Sequence, residues 1–199
     1  RPRSVAVVGA SERPGSIGRI VVENLLSAGF SGEVLAVNPR HATVFGRPAK
    51  ADVAALPVVP DVAIVATPAA TVPKLVVELA ERGVRGAIVI SAGFGAPPAA
   101  RALRDALAAV RSKLFRVVGP NTLGVLVPGI GLNASFAHLT PAAGGIAFLA
   151  QSGAIATSVL DWAVARGIGF SHVVPLGDMA DVDFGDMLDY LASDAATRA

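Results

Sequence analysis

Short apolar runs alternate with longer amphipathic segments over the first two thirds of the chain. The runs are rich in valine, isoleucine and alanine, and they lie at Ser4–Val8, Glu33–Val37, Val62–Ala66, Ala87–Ile90 and Phe115–Val118. Short runs that are apolar almost throughout are typical of strands buried on both faces. Between them, apolar residues recur with helical spacing at Ile17–Ala28, Thr71–Arg82 and Pro98–Leu114, with a shorter helical turn near Ala51–Leu56. This alternation predicts a doubly wound α/β domain with a parallel sheet, which we place at residues 1–128.

The same pattern restarts after a loop-rich segment at residues 129–144. We expect a strand at Ile146–Ala150, a turn at Gln151–Gly153, a helix at Ala154–Arg166, a strand at Phe170–Pro175 and a helix at Phe184–Ala192. A sheet of two strands is too small for a finished α/β domain. We therefore expect residues 129–199 to be the first part of a second α/β domain that is cut off before its fold is complete.

Composition and charge narrow the class of protein. Hydrophobic residues make up 53% of the chain, which is ample for a core, and no apolar stretch is long enough to predict a membrane-spanning helix. The 17 basic and 15 acidic residues are scattered and aromatic residues are few, so no surface for nucleic acid is predicted. The absence of cysteine excludes disulfides, thiolate zinc sites and cysteine nucleophiles. These features indicate a cytoplasmic protein with neither a membrane nor a nucleic-acid partner.

Candidate binding residues follow the predicted strands of the first domain. In open parallel sheets, ligands bind beyond the carboxyl ends of the strands. The sequences there are Gly9-Ala10-Ser11, Asn38-Pro39-Arg40, Thr67-Pro68-Ala69, Ser91-Ala92-Gly93 and Gly119-Pro120-Asn121. Their small side chains let backbone amides and helix N-termini approach an anion. The five loops together predict a site for a phosphorylated ligand.

The loop after the first strand lacks the dinucleotide spacing G-x-G-x-x-G. It offers Gly9, Gly15 and Gly18, which make a wider turn. An NAD site also needs an acidic residue after the second strand to bind the ribose diol. Asn38 and Arg40 stand there instead, and a guanidinium attracts a phosphorylated ribose. Both coenzyme A and NADP carry such a phosphate, and these residues alone leave the two open.

Several segments in order resemble one known family. They are VAVVGASERPGSIGRIVVENLL, AVNPR, IVATPAATVP, SAGFG, VVGPNTLGV, AQSGAIATSVLDWA and PLGDMADVDFGDMLDYLASD. Together they resemble the N-terminal part of NDP-forming acyl-CoA synthetases, relatives of the succinyl-CoA synthetase α subunit. The last segment is most similar to bacterial fusions that join this body to a GNAT protein acetyltransferase.

The resemblance implies a Rossmann-like CoA-binding domain at residues 1–128 and part of a flavodoxin-like succinyl-CoA ligase domain at 129–199. In the family, acyl-CoA, phosphate and NDP are converted to free acid, CoA and NTP through an acyl phosphate and a phosphohistidine. The intact protein would then be an ADP-forming acid–CoA ligase with a nucleotide-grasp domain or subunit as partner, and an acetyltransferase domain in the fusions.

The resemblance also assigns site residues. The Gly9–Gly18 loop matches the family's CoA diphosphate loop, and Arg40 lies beside the position of a CoA-binding lysine. Ser91 and Ala92 match part of an Ile-Thr-Glu stretch, so Ala92 replaces its acidic residue. The implied CoA-binding residues are Gly9, Ala10, Ser11, Ser16, Gly18, Asn38, Pro39, Arg40, Thr67, Pro68, Ala69, Ser91, Ala92, Gly93, Pro120 and Asn121. Ser152 and Gly153 match the Ser-Gly pair that opens a helix facing the active-site phosphate, although Ser152 is also an ordinary helix N-cap candidate.

No catalytic residue and no metal site are predicted within this chain. The family's phosphorylated histidine lies in a later Ser-His-Thr-Gly segment, and we expect His41, His138 and His172 at the surface or in loops. The aspartates between Asp178 and Asp189 do not fit a calcium loop; we expect Asp181 or Asp183 as a helix N-cap with Asp186 in the first turn.

The chain is thus expected to bind CoA and phosphate without catalysing the reaction alone. One alternative is a non-catalytic acyl-CoA sensor that regulates a fused lysine acetyltransferase. Another, disfavoured because no acid–base pair for hydride transfer is evident, is an NADP-dependent oxidoreductase.

Overall fold

The computed structural model describes all residues from Arg1 to Ala199 and contains two β-sheets. The strands of the first sheet are β1 (Ser4–Val8), β2 (Glu33–Val37), β3 (Thr43–Val44), β4 (Arg47–Lys50), β5 (Val62–Val65), β6 (Gly86–Val89) and β7 (Arg116–Val118). Their order across the sheet is β3-β4-β2-β1-β5-β6-β7, and all neighbours are parallel except the β3–β4 hairpin. The helices of this part are α1 (Ile17–Ser27), α2 (Val72–Glu81) and α3 (Pro97–Ala109).

Strand β1 lies at the centre of this sheet, where the topology reverses. The chain passes from β1 to β2 on one side and later to β5 on the other, which opens a crevice at the carboxyl ends of β1 and β5. Every residue of β1 is buried, and its side chains alternate between two cores. Ala6 and Val8 pack with residues of α2 and α3, whereas Val5 and Val7 pack with residues of α1.

The five predicted strands of this sheet begin and end within one residue of the observed ones. Helix α3 ends at Ala109 rather than at Leu114, because residues 110–113 form turns in which the Lys113 amide donates to the Val110 carbonyl at 2.8 Å. The helical turn predicted near residues 51–56 is wrong, since this segment forms bends and turns without a helix. The hairpin of β3 and β4 was not predicted; its strands are short, and polar residues and Pro48 obscure any apolar alternation.

The second sheet contains four strands, not the two predicted. They are β8 (Gly124–Val127), β9 (Leu132–Ser135), β10 (Ala143–Ala150) and β11 (Phe170–Pro175), in the order β10-β11-β8-β9. Strands β10 and β11 are parallel and the other neighbours are antiparallel. Helix α4 (Gly153–Val164) follows β10, and α5 (Phe184–Ala192) follows β11. No helix in either part is long and apolar enough to cross a membrane.

Among the contacts that join the two sheets, two sets position the site. Helix α1 packs against β9, and the Asn24 side-chain amide donates to the carbonyls of Ser135 and Ala137 at 2.9 Å each. The loop after β11 runs antiparallel to the free edge of β7: the amides of Asp178, Ala180 and Val182 donate to the carbonyls of Pro120, Gly119 and Val117 at 2.8, 3.0 and 3.1 Å. The carboxyl edge of the first sheet and the α4 end of the second are thereby held next to each other.

Candidate functional site

Close backbone contact defines the loop between β1 and α1. Gly9 has a φ of +95°, and a Cβ there would lie 2.7 Å from the carbonyl oxygen of Ala66, at the end of β5. A Cβ on Gly18 would lie 1.9 Å from the carbonyl oxygen of Gly9. A side chain at Gly9 would push the loop away from the end of β5, and one at Gly18 would push the start of α1 away from Gly9. The two glycines thus allow the helix N-terminus to lie close to the end of β1.

The start of α1 is free to bind an anion. Ser16 stands at the N-cap, but its hydroxyl donates to the Arg13 carbonyl at 2.8 Å and does not cap the helix. The amides of the first turn therefore have no side-chain acceptor, and the helix dipole adds positive potential there. Within the loop, the Ser11 hydroxyl accepts from the Arg13 amide at 3.0 Å, which holds the wide turn in shape.

Asn38 braces the loop after β2 against the loop after β1. Its side-chain amide donates to the Ala10 carbonyl at 2.6 Å, and its side-chain oxygen accepts from the Arg40 amide at 2.7 Å. Pro39 and Arg40 are exposed, and the Arg40 guanidinium forms no ion pair. The sequence drew attention to Asn38 because it stands where an NAD site would have an acidic residue. Its hydrogen bonds between the two loops could not be predicted from the sequence.

The loops after β5 and β6 are tied together by hydroxyl groups. The buried Ser91 hydroxyl donates to the Thr67 carbonyl at 2.6 Å, and the Thr67 and Thr71 hydroxyls share a hydrogen bond of 2.8 Å. Pro68, Ala69, Ala92 and Gly93 line the same edge with small side chains, and a Cβ on Gly93 would lie 3.4 Å from the Ala69 methyl group. The two loops thus form a surface of small side chains and hydroxyl groups that carries no charged side chain.

Asn121 connects this edge to the second sheet. Its amide donates to the Ser91 carbonyl at 3.0 Å, and its side chain donates to the Asp178 carboxylate at 3.1 Å. Pro120, which follows Gly119 through a cis peptide bond, is buried and presents its carbonyl to the Asp178 amide. Of these two predicted residues, Asn121 is the exposed one and Pro120 shapes the turn beneath it.

The N-terminus of α4 lies at the end of this chain of contacts. Gln151 exchanges hydrogen bonds with Gly177, which adjoins Asp178: the Gln151 carbonyl accepts at 3.0 Å and its side chain donates at 3.1 Å. Ser152 caps α4 by accepting from the Ile155 amide at 3.4 Å, and a Cβ on Gly153 would lie 3.3 Å from the Cβ of Leu123. The structure thus brings the predicted residues from Gly9 to Gly153 onto one continuous edge.

The charged groups with displaced pKa values lie away from this edge. His172 is buried on β11, so the expectation that it lies at the surface or in a loop is wrong. Burial lowers its pKa, and the Asp194 carboxylate, 3.7 Å from Nδ1, opposes that shift. His41 and His138 are exposed, and His138 contacts the Asp161 carboxylate at 2.7 Å. What the edge offers is therefore backbone amides, hydroxyls and the exposed guanidiniums of Arg13 and Arg40, neither of which forms an ion pair. These groups suit binding of a phosphorylated ligand.

The hairpin of β3 and β4, which was not predicted from the sequence, lies against the loop between β1 and α1 and bounds the site on that side. The amide of Phe45 at its tip donates to the Glu12 carboxylate in the loop before α1, and the Arg19 guanidinium lies 5.6 Å from the centre of the Phe45 ring. The one sequence signal for this hairpin was Phe45-Gly46, a two-residue turn with an atypical first residue.

Comparison with known proteins agrees with this arrangement. Residues 3–128 match the family model of a CoA binding domain, and residues 143–199 match that of a succinyl-CoA ligase like flavodoxin domain. Acetate–CoA ligase (ADP-forming) I of Archaeoglobus fulgidus is 42% identical over 198 residues, which cover 98% of this chain and 29% of that protein. The α subunit of acetate–CoA ligase (ADP-forming) I of Pyrococcus furiosus is 34% identical, with 100% of this chain and 44% of that subunit covered.

A solved structure is similar over nearly the whole chain. Acetyl-coenzyme A synthetase 1 of Candidatus Korarchaeum cryptofilum, in complex with phosphate and ADP, gives a TM-score of 0.92 at 34% identity, covering 99% of this chain and 42% of the other. The chain spans less than half the length of each of these three proteins. All three are named as ligases or synthetases, which leaves the resemblance to acetyltransferase fusions without support. Both family models match in order along the sequence, and the relatives are similar over nearly the whole chain. The chain therefore belongs to the NDP-forming acyl-CoA synthetase family and corresponds to its α-subunit-like part.

Proposed function

We propose that this chain is the CoA-binding portion of an ADP-forming acyl-CoA synthetase. It holds CoA or acyl-CoA along the carboxyl edge of the first sheet, with the Gly9–Gly18 loop at the diphosphate and Arg40 at the phosphorylated ribose. The loops from Thr67 to Asn121 continue this edge toward Ser152 and Gly153, where we place the phosphate. In the intact protein, acyl-CoA, phosphate and ADP are converted to free acid, CoA and ATP.

One observation carries this proposal. The contact between Gly18 and Gly9 brings the uncapped amides of α1 onto the edge, and Asn38 ties Arg40 to the same loop. Backbone amides at a helix start favour a diphosphate, and a guanidinium favours a second, separate phosphate. CoA and NADP both carry these groups, and membership in a CoA-binding family favours CoA.

The second anion is proposed at α4. This helix is 12 residues long, and its start lies beside Asn121 and Asp178 on the shared edge. A relative was solved with phosphate and ADP, which supports phosphate as the ligand.

The only buried histidine, His172, contacts Asp194 and Tyr190 rather than the edge, so we assign phosphoryl transfer to no histidine of this chain. The phosphohistidine and the nucleotide-grasp domain are assigned to other parts of the assembly, and we expect no turnover from this chain alone.

Substitution of Arg40 tests the proposed recognition of the ribose phosphate. We expect Arg40→Gln to weaken CoA binding about tenfold, the loss of one charge-assisted phosphate contact, and to leave dephospho-CoA binding unchanged. Titration calorimetry with the two ligands measures both. Arg85→Gln is the matched control, because Arg85 is also exposed and unpaired but precedes β6 at the opposite edge of the sheet. Equal CoA affinity of Arg40→Gln and the wild type would contradict the role of Arg40.

A further inference from the structure

The tip of the β3–β4 hairpin is strained. Its two residues, Phe45 and Gly46, have φ angles of +49° and +70°. Two positive φ angles define a type I′ turn, in which asparagine or glycine is the usual first residue. Left-handed backbone at a bulky residue costs about 1–2 kcal/mol, so other contacts must hold Phe45 in place.

Glu12 and Arg19 supply those contacts. The Phe45 amide donates to the Glu12 carboxylate, and the Arg19 guanidinium, 5.6 Å from the ring centre, stacks over the Phe45 ring. Arg19 closes the triangle by donating to the Glu12 carbonyl at 2.7 Å. The triangle, which we call the Glu12 latch, joins the loop before α1, helix α1 and the hairpin.

The hairpin in turn fixes the segment that carries Arg40. Residues 38–42 connect β2 to β3, and both ends of this segment are bonded to β4. The Asn38 amide donates to the Lys50 carbonyl, and the Ala49 amide donates to the Ala42 carbonyl, each at 2.8 Å. The position of Arg40 relative to the Gly9–Gly18 loop is therefore held in two ways: Asn38 ties its amide to the loop directly, and the hairpin fixes both ends of its segment. The latch adds a bond between the tip of that hairpin and the loop.

We infer that Glu12 is a positioning residue that makes the site selective for a 3′-phosphorylated adenosine. This inference rests on the proposed function. The two phosphate groups of CoA are joined covalently, so the loop and Arg40 must keep a fixed spacing to bind both. A carboxylate in a phosphate-binding loop is otherwise unfavourable, because it repels the ligand. Its hydrogen bond to the Phe45 amide gives the Glu12 side chain a role that offsets this repulsion.

Two substitutions of Glu12 distinguish its hydrogen bond to the Phe45 amide from the effect of its negative charge. Glu12→Ala removes the acceptor for the Phe45 amide, whereas Glu12→Gln removes the charge and keeps an oxygen that accepts. For Glu12→Ala we expect the preference for CoA over dephospho-CoA, measured by calorimetry, to fall about fivefold. Relief of repulsion acts on the diphosphate that both ligands carry, so it cancels in this ratio. We expect Glu12→Gln to keep most of the preference. Glu33→Ala is the matched control, because Glu33 is exposed at the amino end of β2 and forms no ion pair.

Hydrogen exchange at the Phe45 amide gives a second readout that needs no ligand. Faster exchange of this amide in Glu12→Ala, with the amides of β1 and β5 unchanged, supports the latch. Unchanged preference and unchanged exchange in Glu12→Ala would overturn it while leaving CoA binding intact. An equal gain of affinity for CoA and dephospho-CoA in both variants would also overturn it, since it would show that Glu12 acts only by repulsion. A wild-type chain that does not distinguish CoA from dephospho-CoA would overturn the Arg40 assignment and this inference together, and one that binds no CoA would overturn the proposed function as well.

Discussion

Two glycines decide how closely helix α1 approaches the end of strand β1. Gly9 and Gly18 touch through backbone atoms, and the open amides of α1 are useful to a ligand only because of that contact. From the sequence, the wide spacing of these glycines was enough to exclude the usual dinucleotide turn. It did not reveal that Gly18 lies against Gly9, because that contact depends on how the helix returns to the sheet.

Substitution of Gly18 tests this arrangement. A Cβ at Gly18 would overlap the Gly9 carbonyl oxygen at 1.9 Å, so Gly18→Ala must displace α1. We expect a loss of about 1–3 kcal/mol in the free energy of unfolding, typical of overpacking, together with loss of CoA binding. Gly129→Ala is the control, because a Cβ there meets no atom within 4 Å. Chemical denaturation and calorimetry measure the two effects; a Gly18→Ala protein with wild-type stability and affinity would show that the contact is unimportant.

At the scale of elements, the loop after β11 is held to strand β7 by charged groups. The Asp181 carboxylate accepts from the Val117 amide at 2.7 Å and from Arg116 Nε at 3.1 Å, and Arg116 also donates to Asp186 at 2.9 Å. Asp183 and Asp186 form a capping box at the start of α5. The sequence predicted the helix cap correctly, because a cap depends on residues within one turn. It did not predict the partner Arg116, which is 70 residues away.

This cluster predicts a pH dependence of stability. The Asp183 amide and the Arg116 guanidinium lower the pKa of Asp186 below its usual value. A carboxyl whose pKa is lowered by folding stabilises the fold above its unfolded pKa of about 3.9, and this contribution disappears as the pH falls through the folded pKa. We therefore expect Asp186→Asn to lower the melting temperature by about 2 °C at pH 7. The difference from the wild type should shrink as the pH falls below about 3.9 and vanish once the pH lies below the lowered, folded pKa of Asp186.

Thermal melts at a series of pH values measure this difference. Asp189→Asn is the control, because Asp189 lies on the same helix, is exposed and forms no side-chain hydrogen bond or ion pair. A difference between Asp186→Asn and the wild type that is the same at pH 7 and pH 3 would contradict the role of the ionised carboxylate.

At the scale of the whole molecule, apolar runs along the sequence predicted the parallel strands. Strands that are defined by pairing with distant parts of the chain were not predicted. Strand β1 and its parallel neighbours were evident because strands buried on both faces are apolar throughout. Strand β8 escaped prediction because Gly124–Val127 directly precedes the loop-rich segment, and β9 because it lies within that segment; both are defined by pairing with β11 or with each other. The residues predicted to bind lie at one edge because parallel strands place their carboxyl ends together. The hairpin that carries Phe45 was not predicted because its two strands are too short to show an alternation of apolar and polar residues.

We propose above that this edge binds coenzyme A and recognises its ribose phosphate. Titration calorimetry of the wild-type chain with CoA, dephospho-CoA and NADP tests it most directly. We expect CoA to bind, dephospho-CoA to bind about tenfold more weakly, and NADP to give no heat of binding and no competition with CoA. Binding of NADP without binding of CoA would contradict the account.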